Sequence, residues 1–273
     1  MISITLPDGS IRAFAPGTTP MEVAKNISEG FARNVISASF EGTTIETSTP
    51  LTTDGSLILY TWNDAEGKKA FWHSTSHVMA QVLEEMFPGI QLTLGPAIAN
   101  GFYYDVDFGD QKITEADFKA IESRILEISK EKHEFKMRAV TKAEALETYK
   151  DNVYKTELIS NLEDGTITFC DHATFTDLCR GGHIPNTSII KAVKIMSVAG
   201  AYWRGDEKNK QLTRVYGTSF PKQKDLTEYL ELLEEAKRRD HRKLGKELEL
   251  FAFSQKVGQG LPLWLPKGAA LRD

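Results

Sequence analysis

Cysteine is scarce in this chain: there are two in 273 residues, Cys170 and Cys179. That excludes a disulfide-stapled scaffold and fits a reducing, cytoplasmic setting. Long apolar runs are missing as well. No stretch approaches the ~20 residues that cross a bilayer, and Met1-Ile2-Ser3-Ile4 opens no secretory signal, so no membrane partner is expected. An excess of positive charge is also absent. Lys and Arg number 33 against 38 Asp and Glu, for a net charge of -5, so any nucleic-acid contact must be a local patch. Repeats and low-complexity tracts are lacking. What remains is 41% hydrophobic and 26% charged, enough to bury real cores, in a length that allows one to three domains at ~100–200 residues each.

Residues 1–62 read as a small independent domain. Ile2, Ile4 and Leu6 alternate, Pro7-Asp8-Gly9-Ser10 supplies a turn, and Ile11–Phe14 resumes, which is a β-hairpin. Thr19-Pro20-Met21-Glu22 is a helix start with a capping box and proline at the first helical position. Short strands follow near Val35–Phe40, Thr44–Glu46 and Leu57–Thr61. Hairpin, helix, then strands is the order of a ubiquitin-like β-grasp. No residue in it carries evident chemistry, and a binding or spacer role is expected.

Asn63–Lys69 reads as a polar linker, and the helix after it has an apolar face of Trp72, Met79, Val82, Leu83 and Met86, ended by Pro88-Gly89. A strand over Phe102–Phe108, a helix capped at Thr114, another with a capping box at Thr141, a short helix holding Tyr154 and Lys155, and strands near Thr166–Cys170, Thr174–Leu178, Lys191–Ala199 and Gln211–Thr218 complete a larger α+β domain over 63–222. Lys222–Phe251 reads as one long helix with a basic run at 237–243, most simply a solvated face. Residues 252–273 begin something new, which suggests a piece of a longer protein. The fold class is therefore α+β: a β-grasp domain, a larger α+β domain and a long C-terminal helix.

Two stretches carry the chemistry. His73 and His77 are four apart in a helical segment and project from one face. Cys179 and His183 flank a Gly181-Gly182 turn that can fold their side chains together. Three imidazoles and a thiol suit zinc or work on a carbonyl. Asp177 lies two residues before Cys179 and shares its face in a strand. Three chemistries remain open on this set. In metal hydrolysis, a zincin helix would carry Glu where Ser74 stands, and four protein ligands would close the metal site. In a cysteine hydrolase, a histidine would activate Cys179. In metal-free hydrolysis, a histidine would activate water. On pattern alone Cys170 and Tyr104 are core, Lys155 is a surface lysine, and His133 and His172 are surface residues without partners.

The His73–His77 helix, Asn100–Asp105, Asp177–His183, Gly200–Asp206 and Arg239–Leu248 together resemble bacterial threonyl-tRNA synthetases over essentially the whole chain. The resemblance implies a TGS domain at 1–62, an editing domain at 63–222, a linker helix at 223–251 and, at 252–273, the start of a class II catalytic core. The rest of that core, with its ATP, magnesium and one zinc, lies outside these residues. The implied activity is proofreading: hydrolysis of seryl-tRNA(Thr) at the tRNA 3′ end, in a cytoplasmic enzyme whose full-length form charges threonine. The full enzyme would be a homodimer and this piece a monomer. A tRNA-binding module without activity and a free-standing trans-editing deacylase are the alternatives.

By the same resemblance His73 and His77 would handle water and protons, Lys155 would steady charge or hold the terminal ribose, and Asp177 would bind the serine amino group. Tyr104, Cys179 and His183 would line the pocket, with Gly95 beside Tyr104 as a substrate-binding position. No metal is expected to be required. If zinc binds, His73, His77, Cys179 and His183 would hold it, as the same pattern does in the related alanyl domains. One departure stands out: Gly182 occupies a place where many members carry proline.

Overall fold

The computed structural model describes residues 1–254, 258 and 260–272. The chain forms two compact units, Met1–Lys222 and Gln223–Asp273.

The first unit opens with β1 (Ile2–Thr5) and β2 (Ile11–Phe14), then α1 (Pro20–Ile27), the short α2 (Glu29–Ala32), β3 (Val35–Phe40), β4 (Thr43–Ile45) and β5 (Gly55–Thr61). The strands form one sheet in the order β2-β1-β5-β3-β4, with β1 and β5 parallel, as a β-grasp requires. The capping box at the start of α1 is formed: Thr19 accepts from Glu22 N, and the Glu22 carboxylate accepts from Thr19 N at 2.7 Å. Ile4, Val23, Ala38 and Leu57 are fully buried beneath the helix. β4 ends one residue before Glu46, at the edge of this sheet.

The expected linker 63–69 is instead mostly the first turns of α3 (Ala65–Met86). Asp64 precedes the helix and its carboxylate accepts from Thr61 N and Oγ1, which ties the helix start to the end of β5. Gly67 makes the close approach possible, since a Cβ there would fall 1.9 Å from Thr61 O. The middle of α3 is buried on all sides, not on one stripe. Its hydroxyls are satisfied internally: Ser74 and Thr75 donate to the carbonyls of Ala70 and Phe71.

Beyond α3 come β6 (Gln91–Leu92), β7 (Ala97–Ile98), β8 (Gly101–Asp107), α4 (Glu115–Lys130), β9 (Lys136–Ala139), α5 (Lys142–Thr148) and α6 (Val153–Ser160). They are followed by β10 (Thr168–His172), β11 (Phe175–Leu178), β12 (Ala192–Tyr202) and β13 (Gln211–Phe220). One sheet runs β12-β13-β8-β6 with β7 added on β8, and a smaller one runs β11-β10-β9. Along β8, Phe102, Tyr104 and Val106 point to one face and are fully buried. Asp105 and Asp107 on the other face are nearly buried too, held by Arg214 and by Tyr154 with Lys210. α3 packs against β8 while β11 delivers its C-terminal end to the same place.

In the second unit the expected single helix over Lys222–Phe251 is two helices, α7 (Gln223–Arg238) and α8 (His241–Glu247). The break is at Asp240, whose side chain caps α8 by accepting from Arg242 N at 2.8 Å. In the basic run, Arg239 pairs with Glu235 and Arg242 with Asp240, both on the surface. A hairpin of β14 (Phe251–Phe253) and β15 (Pro262–Trp264) follows, then α9 (Pro266–Arg272). Of the segment expected to begin a further domain, residues 255–257, 259 and 273 lie outside the described residues. Among the described residues, no helix is long and apolar enough to cross a membrane.

Candidate active site

α3 and the segment leaving β11 bring His73, His77, Cys179 and His183 together, with one ligating atom from each lying within 4.8 Å of the others. His73 Nε2 is 3.0 Å from Cys179 Sγ, His77 Nε2 is 3.3 Å from His73 Nε2, and His183 Nε2 is 3.4 Å from Cys179 Sγ. Each ring turns its other nitrogen outward to an acceptor. His73 Nδ1 is 3.4 Å from Gly95 O, and His183 Nδ1 is 3.0 Å from Glu46 Oε1. His77 Nδ1 is 2.9 Å from Asp177 Oδ2, close enough for an ion pair but at a poor hydrogen-bond angle. The three Nε2 atoms and the Cys179 sulfur thus converge on one point.

Behind His77 lies a buried polar network. Lys155 Nζ donates to Asp177 Oδ1 at 2.5 Å and to Tyr104 Oη at 3.3 Å, and Tyr104 Oη donates to Asp177 Oδ2 at 2.6 Å. α6 positions Lys155, because the Asn152 side chain caps the helix by accepting from Tyr154 N and Lys155 N. Lys155 is therefore buried, not the surface lysine that its pattern suggested. The Asp177 carboxylate thus accepts from Lys155 and Tyr104, with His77 Nδ1 beside it.

The cluster and the network open on one cavity of about 650 Å³. His73, His77, Tyr104, Lys155, Asp177 and Cys179 line it, and Gly95 does so as well. A Cβ at Gly95 would fall 2.2 Å from Tyr104 Cδ2, so only glycine lets this loop lie on the ring. His183 is the exception to the expected lining. It is fully buried behind Cys179, with Phe135 stacked on it at 5.3 Å.

Electrostatics follow from burial and from the mutual field of these groups. Burial holds the pKa of His73 down and keeps the ring neutral. Burial also opposes charge on His77 and His183, but Cys179 together with Asp177 or Glu46 outweighs it, and both pKa values are raised. The Cys179 thiol is disfavoured as an anion by burial, yet the surrounding imidazoles bring its pKa well below the usual thiol range. Lys155 and His77 overcome burial to keep the Asp177 carboxyl ionised. Tyr104 is held protonated by burial and by Asp177.

The donor set fits zinc: three Nε2 atoms and a sulfur converge, each ring has an acceptor near Nδ1, and the thiol leans to thiolate. Four protein donors would make a closed site. The zincin arrangement does not hold. The Ser74 hydroxyl points away from the cluster, donating to Ala70 O and accepting from Ile184 N at 2.9 Å.

Two residues, Glu46 and His172, escaped the sequence reading, while Cys170 lies in the core as expected. Glu46, from the segment expected to carry no chemistry, reaches His183, and no local pattern marked it. Cys170, expected in the core, is buried there, with its thiol pushed up to about 11 by burial and its sulfur 3.7 Å from His183 Nδ1. His172, expected on the surface, is buried between Phe135 and Phe175, and neither ring nitrogen has a hydrogen-bond partner among the described residues.

With this geometry in place, the chain can be compared with known proteins. The TGS domain description matches residues 2–61, and the description "Threonyl and Alanyl tRNA synthetase second additional domain" matches residues 167–216. Curated proteins named threonine--tRNA ligase align with all of it: one from Flavobacterium johnsoniae at 92% identity, one from Flavobacterium psychrophilum at 87% and one from Cytophaga hutchinsonii at 58%. The chain spans 42%, 42% and 43% of their respective lengths.

Proposed function

Taking the chain as the N-terminal region of a threonine--tRNA ligase, with its TGS and second additional domains, we propose that its cleft is a proofreading site that hydrolyses seryl-tRNA(Thr). One observation carries this reading: the His73, His77 and Cys179 cluster and the buried Lys155–Asp177 pair face a single cavity beside the matched segment. Serine differs from threonine by one methyl, and a binding pocket gains only about 1–3 kcal/mol from such a group, so a charging site admits serine. A second, tighter pocket can then reject threonine and cleave the serine ester.

The chain's own side chains suffice for the steps. His73, neutral and the most open of the four clustered residues, takes a proton from water as the oxygen attacks the ester carbonyl. Two of the three Lys155 ammonium protons are engaged by Asp177 and Tyr104, which leaves one to steady the developing oxyanion or the terminal ribose. His77, with its raised pKa, returns a proton to the departing ribose oxygen as the ester bond breaks. Free serine and tRNA with an intact terminal hydroxyl result. Asp177 holds Lys155, Tyr104 and His77 in register. Zinc on His73, His77, Cys179 and His183 would supply Lewis acidity, but those four donors would leave it no open position. The reaction is therefore assigned to the side chains.

The partner is the 3′ end of tRNA(Thr). Arg180, exposed at the cavity rim, offers local positive charge in a chain of net charge -5. The piece works in the cytoplasm as a monomer and does not charge tRNA itself. The domains run 1–62, 63–222 and 223–251, with 252–273 beginning the catalytic core of the longer homodimeric enzyme, which uses ATP, magnesium and a zinc of its own. The decisive experiment is deacylation of seryl-tRNA(Thr) and threonyl-tRNA(Thr) by this chain, with and without a chelator. Serine release that survives chelation while threonine is spared is the expected result. A folded protein that binds tRNA but leaves both esters intact would overturn the reading.

A further inference from the structure

The Gly181-Gly182 turn has both residues in the left-handed region, at φ 98° and 90°. Proline, fixed near φ −65° and without an N–H, could not occupy position 182 in this turn. The free N–H of Gly182 donates to Glu46 Oε1 at 2.9 Å, and His183 N donates to Glu46 Oε2 at 3.1 Å. The same carboxylate faces His183 Nδ1 at 3.0 Å and is only 11% exposed. β4 lies directly on the turn, because a Cβ at Gly182 would meet Thr44 Cγ2 at 3.3 Å. One acidic side chain of the β-grasp domain thus gathers two backbone donors and one imidazole of the hydrolytic cluster.

A carboxylate beside one nitrogen of an enclosed imidazole holds a proton on that nitrogen. His183 is enclosed and stacked on Phe135, and Glu46 supplies that carboxylate. The other group near Nδ1 is the Cys170 sulfur at 3.7 Å, a weak acceptor. With its proton held on Nδ1 by Glu46, the ring keeps Nε2 aimed at Cys179 Sγ, 3.4 Å away. We propose that Glu46 is a positioning residue which fixes the Nδ1–H form of His183 and the Gly181-Gly182 turn, so that residues 1–62 complete the hydrolytic site. The catalytic part of this proposal rests on the deacylase reading; the part about the Nδ1 proton stands without it.

The test uses the whole chain with 15N-labelled histidine, alongside seryl-tRNA(Thr) deacylation. In the unaltered protein the His183 ring should give a single form with Nδ1 protonated and bonded to Glu46. In Glu46→Ala that single form should be lost, and kcat should fall about 10–100-fold with KM changed less than about twofold. Glu46→Asp keeps a carboxylate on the same backbone and should recover part of both. If Glu46→Ala does not fold, Glu46→Gln preserves size but sets an NH₂ against one of the three donors, and the same two changes are expected. A folded Glu46→Ala protein with an unchanged ring spectrum and unchanged kcat overturns the proposal. If the unaltered chain releases no serine, the deacylase reading falls, and the ring spectrum alone still decides whether Glu46 holds the Nδ1 proton.

Discussion

Lys155 Nζ meets Asp177 Oδ1 at 2.5 Å with 2% and 3% of the two side chains exposed, a buried ion pair within reach of a cavity. Two charges taken out of water compensate each other only while both remain, and removing one partner of such a pair costs about 3–5 kcal/mol. Lys155→Met and Asp177→Asn should each lower the unfolding free energy by about that much, while the double variant loses clearly less than the sum. Urea unfolding of the four proteins checks this. Strict additivity would mean that the two side chains do not act as a pair. Both single variants should also lose serine release, because Asp177 aligns His77 and Lys155 faces the reacting ester.

Zinc offers a second test. Of the four donors His73, His77, Cys179 and His183, the first two are groups that the proposed hydrolysis needs free. A metal bound to all four would stabilise the folded chain by mass action and take His73 and His77 out of proton transfer. Excess zinc should raise the thermal midpoint and slow seryl-tRNA(Thr) deacylation, and a chelator should reverse both. Zinc that accelerates the reaction would transfer the chemistry to the metal. The midpoint shift should vanish in Cys179→Ala.

Gly95 tests the seat of Tyr104. Any side chain at 95 would collide with the Tyr104 ring, and that ring holds the hydroxyl bonded to Asp177. Gly95→Ala should therefore cost about 1–3 kcal/mol through overpacking. It should also lower kcat more than a surface substitution of equal stability cost, by pulling Tyr104 away from Asp177. Thermal unfolding and single-turnover deacylation together separate the two effects.

The sequence exposed those parts of the site that are local in the chain. His73 and His77 share a helix face because they are four apart, and Cys179 and His183 are joined by one short turn, so spacing alone paired them. The β-grasp order was legible from a hairpin turn and a capping box for the same reason. Long-range partners left no such trace. Glu46 reaches His183 across 137 positions, and Lys155 is buried only because Asp177 and Tyr104 receive it. Pattern reading also missed the break at Asp240. The helical periodicity of Leu226 to Leu248 continues through it, while the cap is made by one side chain on one backbone N–H. The burial of His172 was hidden because its neighbours Phe135 and Phe175 come from β-sheet packing rather than from a helical stripe.

His172 gives the sharpest pH dependence. Burial between aromatic rings, with both nitrogens unpartnered among the described residues, pushes its pKa down to about 3. In the unfolded chain the ring titrates near about 6.5. Between these values the unfolded state binds a proton that the folded state refuses, so folding weakens as pH falls below about 6.5, by about 1.4 kcal/mol per unit. Above that pH both states are neutral and the effect is absent. His172→Phe removes the titration and suits an aromatic cage. Measured by urea unfolding, the variant should gain about 2 kcal/mol on the unaltered protein between pH 6.5 and 5, with a constant offset from pH 7 upward. The clustered histidines are present in both proteins and largely cancel in the difference. A difference that stays flat from pH 7.5 to 5 would mean that the folded ring accepts its proton as readily as the unfolded one, and that a partner for it forms in solution.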